Sequence, residues 1–197
     1  MFSRTENFSQ YTKFYPVVST IIAINVIIFL VSMVPFVGSL IFNLGAGSNY
    51  LLGDGQWWRL ITPMFLHAGL VHLLFNMFSL FLFGPELEKL AGKVRFLTIY
   101  FLSGLIGIVA TYLLQDANYV HVGASGAIYG ILGAFGAIVY YTKNALPQLR
   151  QIIIPIIIIS IVMTFLSPNI NITAHLTGLI VGFLFGLVYF KPKLRKA

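Results

Sequence analysis

The sequence predicts an all-α membrane protein, a bundle of six transmembrane helices in one domain. Hydrophobic residues make up 58% of the 197-residue chain and charged residues only 9%, whereas an ordinary soluble domain carries about 25% charged residues. Apolar stretches alternate with connections that contain glycine, proline or polar residues, and the length allows about six spans of roughly 20 residues. We therefore expect one membrane domain over residues 1–197.

The formal charge of +7 is best explained by membrane topology. Every Lys and Arg except Arg59 falls in a tail or in every second connection between apolar stretches, which is the positive-inside distribution of an even-numbered bundle. Both termini are then cytoplasmic, and the expected partner is the lipid bilayer, not nucleic acid. The chain has no cysteine, which excludes disulfides, thiolate zinc sites and a cysteine nucleophile.

The elements are predicted in the following order. A short polar cytoplasmic tail, residues 1–15, precedes a first span over 17–34, which no small-residue cleavage site follows. An outer connection over 35–69 alternates apolar residues with glycines and carries two tryptophans, which favours a segment in the outer interface, although a plain linker would also fit. The later segments are predicted at 70–83 (ending at Gly84-Pro85), 94–114, 123–141, 152–166 and 173–190, with a basic cytoplasmic tail at 191–197.

Alternating helix direction predicts a cluster of polar side chains. With the N-terminus inside, the second, fourth and sixth spans begin at the outer surface, and polar residues lie near each of these beginnings. Polar groups within a bilayer usually face the bundle interior or a wet cavity. The residues near these beginnings are His72, Asn76, Ser125, Tyr129 and His175, and their shared depth predicts a shared cavity. An outer-facing cavity lined by His67, His72, Asn76, His121 and His175 could supply water, although a plain interfacial role for His121 and a structural hydrogen bond for His67 would also fit.

Two stripes of small residues predict which spans pack closely. Small residues at helical spacing let backbones approach each other in lipid. The stripe of the sixth span is Gly178, Gly182 and Gly186, and that of the fourth is Gly126, Gly130, Gly133 and Ala137. If these surfaces face each other, Ser125 comes within reach of His175.

Such a pair could act as a nucleophile and its base. A serine hydroxyl needs a neighbouring base for activation, and a neutral imidazole can take the proton and return it to a leaving amine. None of the five acidic residues is placed to orient His175, so we expect a dyad without a carboxylate. The first turn of the fourth span, beginning at Ser125, would offer free backbone N–H groups to an oxyanion.

Other interpretations remain open at this point. Glycine and serine are common packing residues in membrane helices, and an intramembrane histidine needs a polar partner whatever its role. A transporter or channel, or a noncatalytic protein that retains membrane clients, could use the same six spans. No metal or other cofactor is expected, because HExxH is absent and His67 and His72 are five apart, about 140° around a helix.

The sequence resembles the rhomboid family of intramembrane serine proteases over most of its length. The matching residues are Trp58-Arg59, His67, His72-x-x-x-Asn76, Glu88, Gly123-x-Ser125-Gly126, Tyr129 and Ala174-His175-x-x-Gly178-x-x-x-Gly182. The resemblance implies that Tyr129 packs on His175 and that His72 and Asn76 add oxyanion donors. It also implies transmembrane protein substrates, which reach the site between the second and fifth spans. The compact chain suggests a bacterial plasma membrane.

Overall fold

The structure is a computed structural model that describes residues 2, 4–168 and 170–192. Within these ranges, five helices are long and apolar enough to cross a bilayer, or six if the bent pair α1 and α2 counts as one span. The first two helices are α1 (Phe8–Phe14) and α2 (Pro16–Ser32). The later long helices are α5 (Leu70–Ala91), α6 (Lys93–Leu114), α7 (Ser125–Thr142), α8 (Pro147–Leu166) and α9 (Ile172–Tyr189).

The helix boundaries follow the prediction except at two places. The predicted spans 94–114 and 173–190 are confirmed as α6 and α9 to within one residue at each end. The predicted end of the second span at residue 83 is wrong, because α5 continues through Pro85 to Ala91. Proline removes the amide that would bond to the carbonyl of Phe81, four residues earlier, and the Tyr11 hydroxyl donates to that carbonyl at 3.4 Å. The predicted start of the fifth span at residue 152 is also too late, since α8 begins at Pro147, a favoured first helical residue.

The N-terminal segment is packed against the bundle, which corrects the expected polar tail. Helix α1 begins with a capping box between Asn7 and Gln10, and α2 follows it at an angle of 112°. Tyr11 and Tyr15 are buried, and Arg4 forms a 2.7 Å ion pair with Glu86 on α5. The basic tail at 191–197 lies mostly outside the described residues, which end at 192.

Glu88 joins the first long helix to the C-terminal part of α5. Its carboxylate accepts hydrogen bonds from the amides of Val17 and Val18 at 3.2 and 2.9 Å. Those amides lie in the first turn of α2, where they have no intrahelical acceptor, and a negative charge there also complements the helix dipole. The buried Glu88 therefore caps a neighbouring helix.

The connection over 35–69 is an ordered subdomain of short elements. These are α3 (Val37–Gly45), β1 (Gly47–Ser48), α4 (Asn49–Gly53) and 3-10 helices at Trp57–Leu60 and Thr62–Phe65. The buried guanidinium of Arg59 donates to the carbonyls of Asn43 and Ala46, which fixes the path of the chain. Strand β1 pairs antiparallel with β2 (Val120–His121) just before α7. Trp57 and Trp58 are exposed, and their position in the membrane interface stays a prediction.

Helix α7 is the centre of the bundle, and α9 is its closest neighbour. A Cβ atom at Gly178 would collide with the carbonyl oxygen of Gly126, and one at Gly182 with that of Gly130. The predicted packing of the two small-residue stripes is thus confirmed. Helix α8 is much less buried: 17% of its most apolar 18-residue stretch is buried, against 72% for α7.

Candidate active site

Ser125 is the first residue of α7, and the segment before it is fixed by backbone geometry. Gly123 has a φ of +130°, a conformation that residues with a Cβ rarely adopt. Its amide donates to the carbonyl of Pro63 at 2.8 Å, which ties the start of α7 to the second 3-10 helix. The first amides of α7 have no intrahelical acceptor and lie at the positive end of the helix dipole. The half-buried Ser125 hydroxyl therefore stands beside donors suited to an anion.

His175 lies in the first turn of α9, and polar bonds hold that turn in place. The side chain of Asn171 caps α9 by accepting from the amide of Ala174 at 2.9 Å. The same side chain donates to the Thr111 hydroxyl on α6 at 2.9 Å. Next to it, Gln115 donates to the Thr173 hydroxyl at 2.8 Å. The beginning of α9 is thereby fixed to the C-terminal end of α6.

Contacts on both sides of the predicted pair bring the starts of α7 and α9 together. A Cβ at Gly126 would lie 3.3 Å from the carbonyl oxygen of Ala174, so a larger residue here would push the two backbones apart. One turn later, the Tyr129 ring stacks on His175 with centroids 4.1 Å apart and an interplanar angle of 21°. Gly126 and Tyr129, each expected to support the site, thus lie where they can position the imidazole beside α7.

No hydrogen bond joins the Ser125 hydroxyl to the His175 imidazole among the described residues. Within the described part of the chain, the His175 side chain forms its hydrogen bond through Nδ1, and the partner is the hydroxyl of Thr164, not that of Ser125. Catalytic hydrogen bonds in ligand-free structures are often long and tighten when substrate binds. The arrangement is therefore compatible with a dyad that forms its bond on substrate binding.

His72 approaches Ser125 from α5. A Cβ at Gly123 would lie 2.8 Å from Nε2 of His72 and 3.6 Å from Oγ of Ser125, so both polar atoms flank the same backbone position. Asn76, one turn further along α5, is buried and donates from Nδ2 to the carbonyl of His72 at 2.9 Å. That bond uses one of its two amide hydrogens. The side chains expected to bind an oxyanion thus lie on one helix that faces the start of α7.

Thr164 is the site residue that the sequence reasoning missed. This buried threonine of α8 places Oγ1 3.0 Å from Nδ1 of His175. Tyr129 also reaches α8, donating to the carbonyl of Ser160 at 2.6 Å. Ser160 and Thr164 are two hydroxyl residues, four positions apart, in an isoleucine-rich span. Polar residues are rare in such a helix and usually face the bundle interior, and this signal would have identified them.

His67 and His121 lie beside the site in their neutral forms. The rings of His67 and His72 have centroids 5.0 Å apart, and His121 packs over Gly47 in the β1–β2 pair. All four ring nitrogens of His67 and His121 are buried without a partner in the described structure. Burial lowers the pKa of each to about 4, with the proximity of His72 as a second cause for His67. Across the described ranges, no three His, Cys, Asp or Glu residues are grouped to hold a metal ion.

These two pKa values predict acid sensitivity of the fold. In the unfolded chain a histidine takes up its proton near pH 6.5, whereas folded His121 does so only near pH 4. The stability from burying neutral His121 is thus fully present above pH 6.5 and is lost as pH falls toward 4. We expect the melting temperature in detergent to drop across this window, and to drop less in His121→Gln, which cannot titrate. Equal pH dependence of the two proteins would contradict this assignment.

Comparison with known proteins identifies the family. Residues 54–192 match the family profile described as Rhomboid domain. YdcA of Bacillus subtilis (strain 168), named as a candidate rhomboid protease, is 42% identical over 198 residues that cover all of both chains. The rhomboid protease GluP of the same organism is 41% identical over 76% of this chain and 29% of GluP.

A more distant relative extends the match beyond bacteria. Rhomboid-like protease 1 of Toxoplasma gondii is 30% identical over 152 residues, which cover 74% of this chain and 52% of that protein. This chain therefore spans the whole of YdcA but less than two thirds of GluP and of the Toxoplasma protease. The profile covers more than half of the chain, and together these matches show that this multi-pass membrane protein belongs to the rhomboid family.

Proposed function

We propose that this chain is an intramembrane serine endopeptidase that hydrolyses peptide bonds within or next to the transmembrane helices of other membrane proteins. The observation that carries the proposal is the stacking of Tyr129 on His175 at the point where α7 and α9 begin. This contact puts a buried imidazole beside the helix that starts at Ser125. The names of the relatives, which include protease, support the same reaction.

The mechanism uses Ser125 as nucleophile and His175 as base. His175 takes the hydroxyl proton as Oγ attacks the substrate carbonyl, and returns it to the leaving amine when the peptide bond breaks. A water molecule, activated by the same imidazole, then releases the acyl group from Ser125. No carboxylate among the described residues contacts His175, and the polar partner of its Nδ1 atom is Thr164.

The oxyanion of the tetrahedral intermediate is stabilised by donors from two helices. The amides at the start of α7, including that of Ser125, supply backbone donors and the positive end of a helix dipole. His72 lies against Gly123 beside the serine hydroxyl, and Asn76 keeps one amide hydrogen for the substrate. Donors that are fixed in advance act most strongly where water is excluded.

Replacing Asn76 with alanine tests this donor set. Loss of one oxyanion donor commonly lowers kcat about 10²- to 10³-fold, and we expect a change of this size with little change in KM, because the interaction forms mainly in the transition state. Initial rates with a purified transmembrane substrate measure both constants. Asn43→Ala, at an exposed position of α3, is the matched control and should keep full activity; an equal loss in both variants would contradict the role of Asn76.

Substrate reaches the site laterally, between α5 and α8. Among the described residues these two helices share no extensive packing interface. Of the five long helices, α8 is the least buried, with 17% of its most apolar 18-residue stretch buried. A substrate helix must unwind before its amide can react, because its backbone groups are hydrogen-bonded to each other. Substrates with small residues at the cut and glycine, proline or polar residues nearby are therefore favoured.

Reconstitution tests the proposed function against its alternatives. Purified protein in liposomes is mixed with a single-span membrane protein, and the products are mapped by mass spectrometry. A protease yields fragments cut in or beside the span. A transporter would instead carry solute across the liposome membrane, and a noncatalytic binder would retain the substrate uncut. Absence of cleavage products across a panel of spans with small residues would refute the proposal.

The expected location is the cell membrane, with both termini in the cytoplasm. The full-length match to a Bacillus subtilis protein supports a bacterial plasma membrane. The distribution of Lys and Arg along the chain supports the orientation. Accessibility of a tag fused to each terminus, measured in intact and permeabilised cells, tests it.

A further inference from the structure

A buried cluster of hydroxyl groups links the base to α8. Oγ1 of Thr164 lies 3.0 Å from Nδ1 of His175, 2.5 Å from the hydroxyl of Tyr129 and 2.9 Å from the carbonyl of Ser160. The Tyr129 hydroxyl also lies 2.6 Å from that carbonyl. Thr164 is 1% exposed and His175 5%, so both residues are withdrawn from bulk solvent.

Counting hydrogens in this cluster indicates which nitrogen of His175 is protonated. Each of the two hydroxyls supplies one hydrogen. If Thr164 donated to Nδ1, only the Tyr129 hydrogen would remain for the other three contacts, and two of these would bring oxygen atoms together without a hydrogen between them. If Nδ1–H donates to Thr164, both hydroxyl hydrogens are available for those three contacts. The second arrangement satisfies more of the buried groups, and it leaves the lone pair on Nε2.

We propose that Thr164 is a positioning residue that holds His175 as the Nδ1–H tautomer and so replaces the missing carboxylate of a triad. The proposal rests on the proposed function, because only Nε2 with a free lone pair can take the proton of Ser125. Tyr129 fixes the plane of the ring by stacking, and Thr164 fixes its rotation about the remaining axis.

Because Thr164 lies on α8, the orientation of the His175 imidazole depends on how α8 packs against α7 and α9. Only Leu149, Ile153 and Thr164 are buried among the described side chains of this helix, and Thr164 alone lies near its outer end. Outward displacement of α8 would therefore remove the acceptor from Nδ1 of His175. The base is fully oriented only while the outer half of α8 rests against α7 and α9.

Two substitutions at this position separate the hydroxyl from the packing. Thr164→Val keeps the shape but lacks the acceptor, and we expect kcat to fall roughly 10-fold, about one neutral hydrogen bond, with KM unchanged. Thr164→Ser keeps the hydroxyl and should restore most of the rate. Thr98→Val on α6 is the matched control, since its exposed hydroxyl bonds only to the carbonyl of Val94, and should leave kcat unchanged.

A small fluorophosphonate probe distinguishes positioning from substrate access. The probe reacts with an activated serine without needing α8 to admit a helix, so a slower labelling rate in Thr164→Val would show a weaker base. Unchanged labelling with a raised KM would overturn the proposal in favour of a structural role in access. The same holds if Thr164→Ser is as impaired as Thr164→Val.

A double-mutant cycle tests the coupling between Thr164 and Tyr129 and so does not depend on the folding of a single variant. Tyr129→Phe removes the other hydroxyl of the cluster and keeps the ring, and we expect its effect to be smaller in the Thr164→Val background than in the wild type. Additive effects would overturn the proposed cluster. Wild-type cleavage that persists in Ser125→Ala would refute the proposed function itself, whereas Ser125-dependent cleavage that is insensitive to Thr164→Val would refute the positioning role alone.

Discussion

Substitution of Ser125 with alanine is expected to abolish proteolysis, with a fall in kcat of at least about 10⁴-fold. The methyl group cannot attack a carbonyl, so no acyl intermediate forms, while the oxyanion donors and the substrate path remain. Substrate binding should therefore persist, because Ser125→Ala keeps the backbone and the Cβ atom of the first residue of α7. Cleavage of a transmembrane substrate in liposomes, followed over hours, measures the residual rate.

The control for this prediction is a serine outside the site. Ser39 is exposed on α3 and its hydroxyl bonds to the carbonyl of Phe36, so Ser39→Ala should cleave at the wild-type rate. The melting temperature of Ser125→Ala should equal that of the wild type, which separates lost chemistry from lost folding. Residual cleavage by Ser125→Ala above about one part in 10² of the wild-type rate would contradict a nucleophilic role, because single catalytic nucleophiles contribute far more than this.

Substitution of Gly182 with alanine is expected to destabilise the bundle and to inactivate it at the same time. The new Cβ would collide with the carbonyl oxygen of Gly130, and a backbone atom cannot move aside as a side chain can. Overpacking commonly costs about 1–3 kcal/mol, and we expect the upper end of this range. The added methyl group would push α7 and α9 apart, and this would change the position of His175 relative to Ser125.

Gly136 provides the matched control on α7. A Cβ there meets Phe183 at 3.4 Å and Ile157 at 3.5 Å, which are ordinary van der Waals distances, so Gly136→Ala should change stability and activity little. Thermal unfolding in detergent and cleavage rates report the two effects in each variant. Wild-type behaviour of Gly182→Ala would contradict the close packing of the two helices.

The helical bundle and much of the candidate site were predictable from sequence because the bilayer imposes regular demands. Apolar runs of spanning length gave α6 and α9 almost to the residue. The two glycine stripes predicted the packing of α7 on α9, since only small residues permit such approach in lipid. The stacking of Tyr129 on His175 was expected from family resemblance, and the structure has this contact.

The features that escaped prediction depend on partners far away in sequence. Helix α5 passes through Pro85, and the Tyr11 hydroxyl donates to the carbonyl that proline leaves free; no local pattern encodes that contact. The strands β1 and β2 have two residues each, too few for an alternating pattern to be recognised. Thr164 was not predicted because a carboxylate is the usual partner of such a histidine, whereas the structure supplies a hydroxyl from another helix.

Mapping a fluorophosphonate adduct by mass spectrometry tests the central claim most directly. The wild-type protein, reconstituted in liposomes, is incubated with the probe beside His175→Ala, and the modified residue is located by peptide sequencing. If His175 activates Ser125, the wild type carries one adduct, on Ser125, and His175→Ala reacts far more slowly. An adduct on any other serine, or equal labelling of the two proteins, would contradict the account.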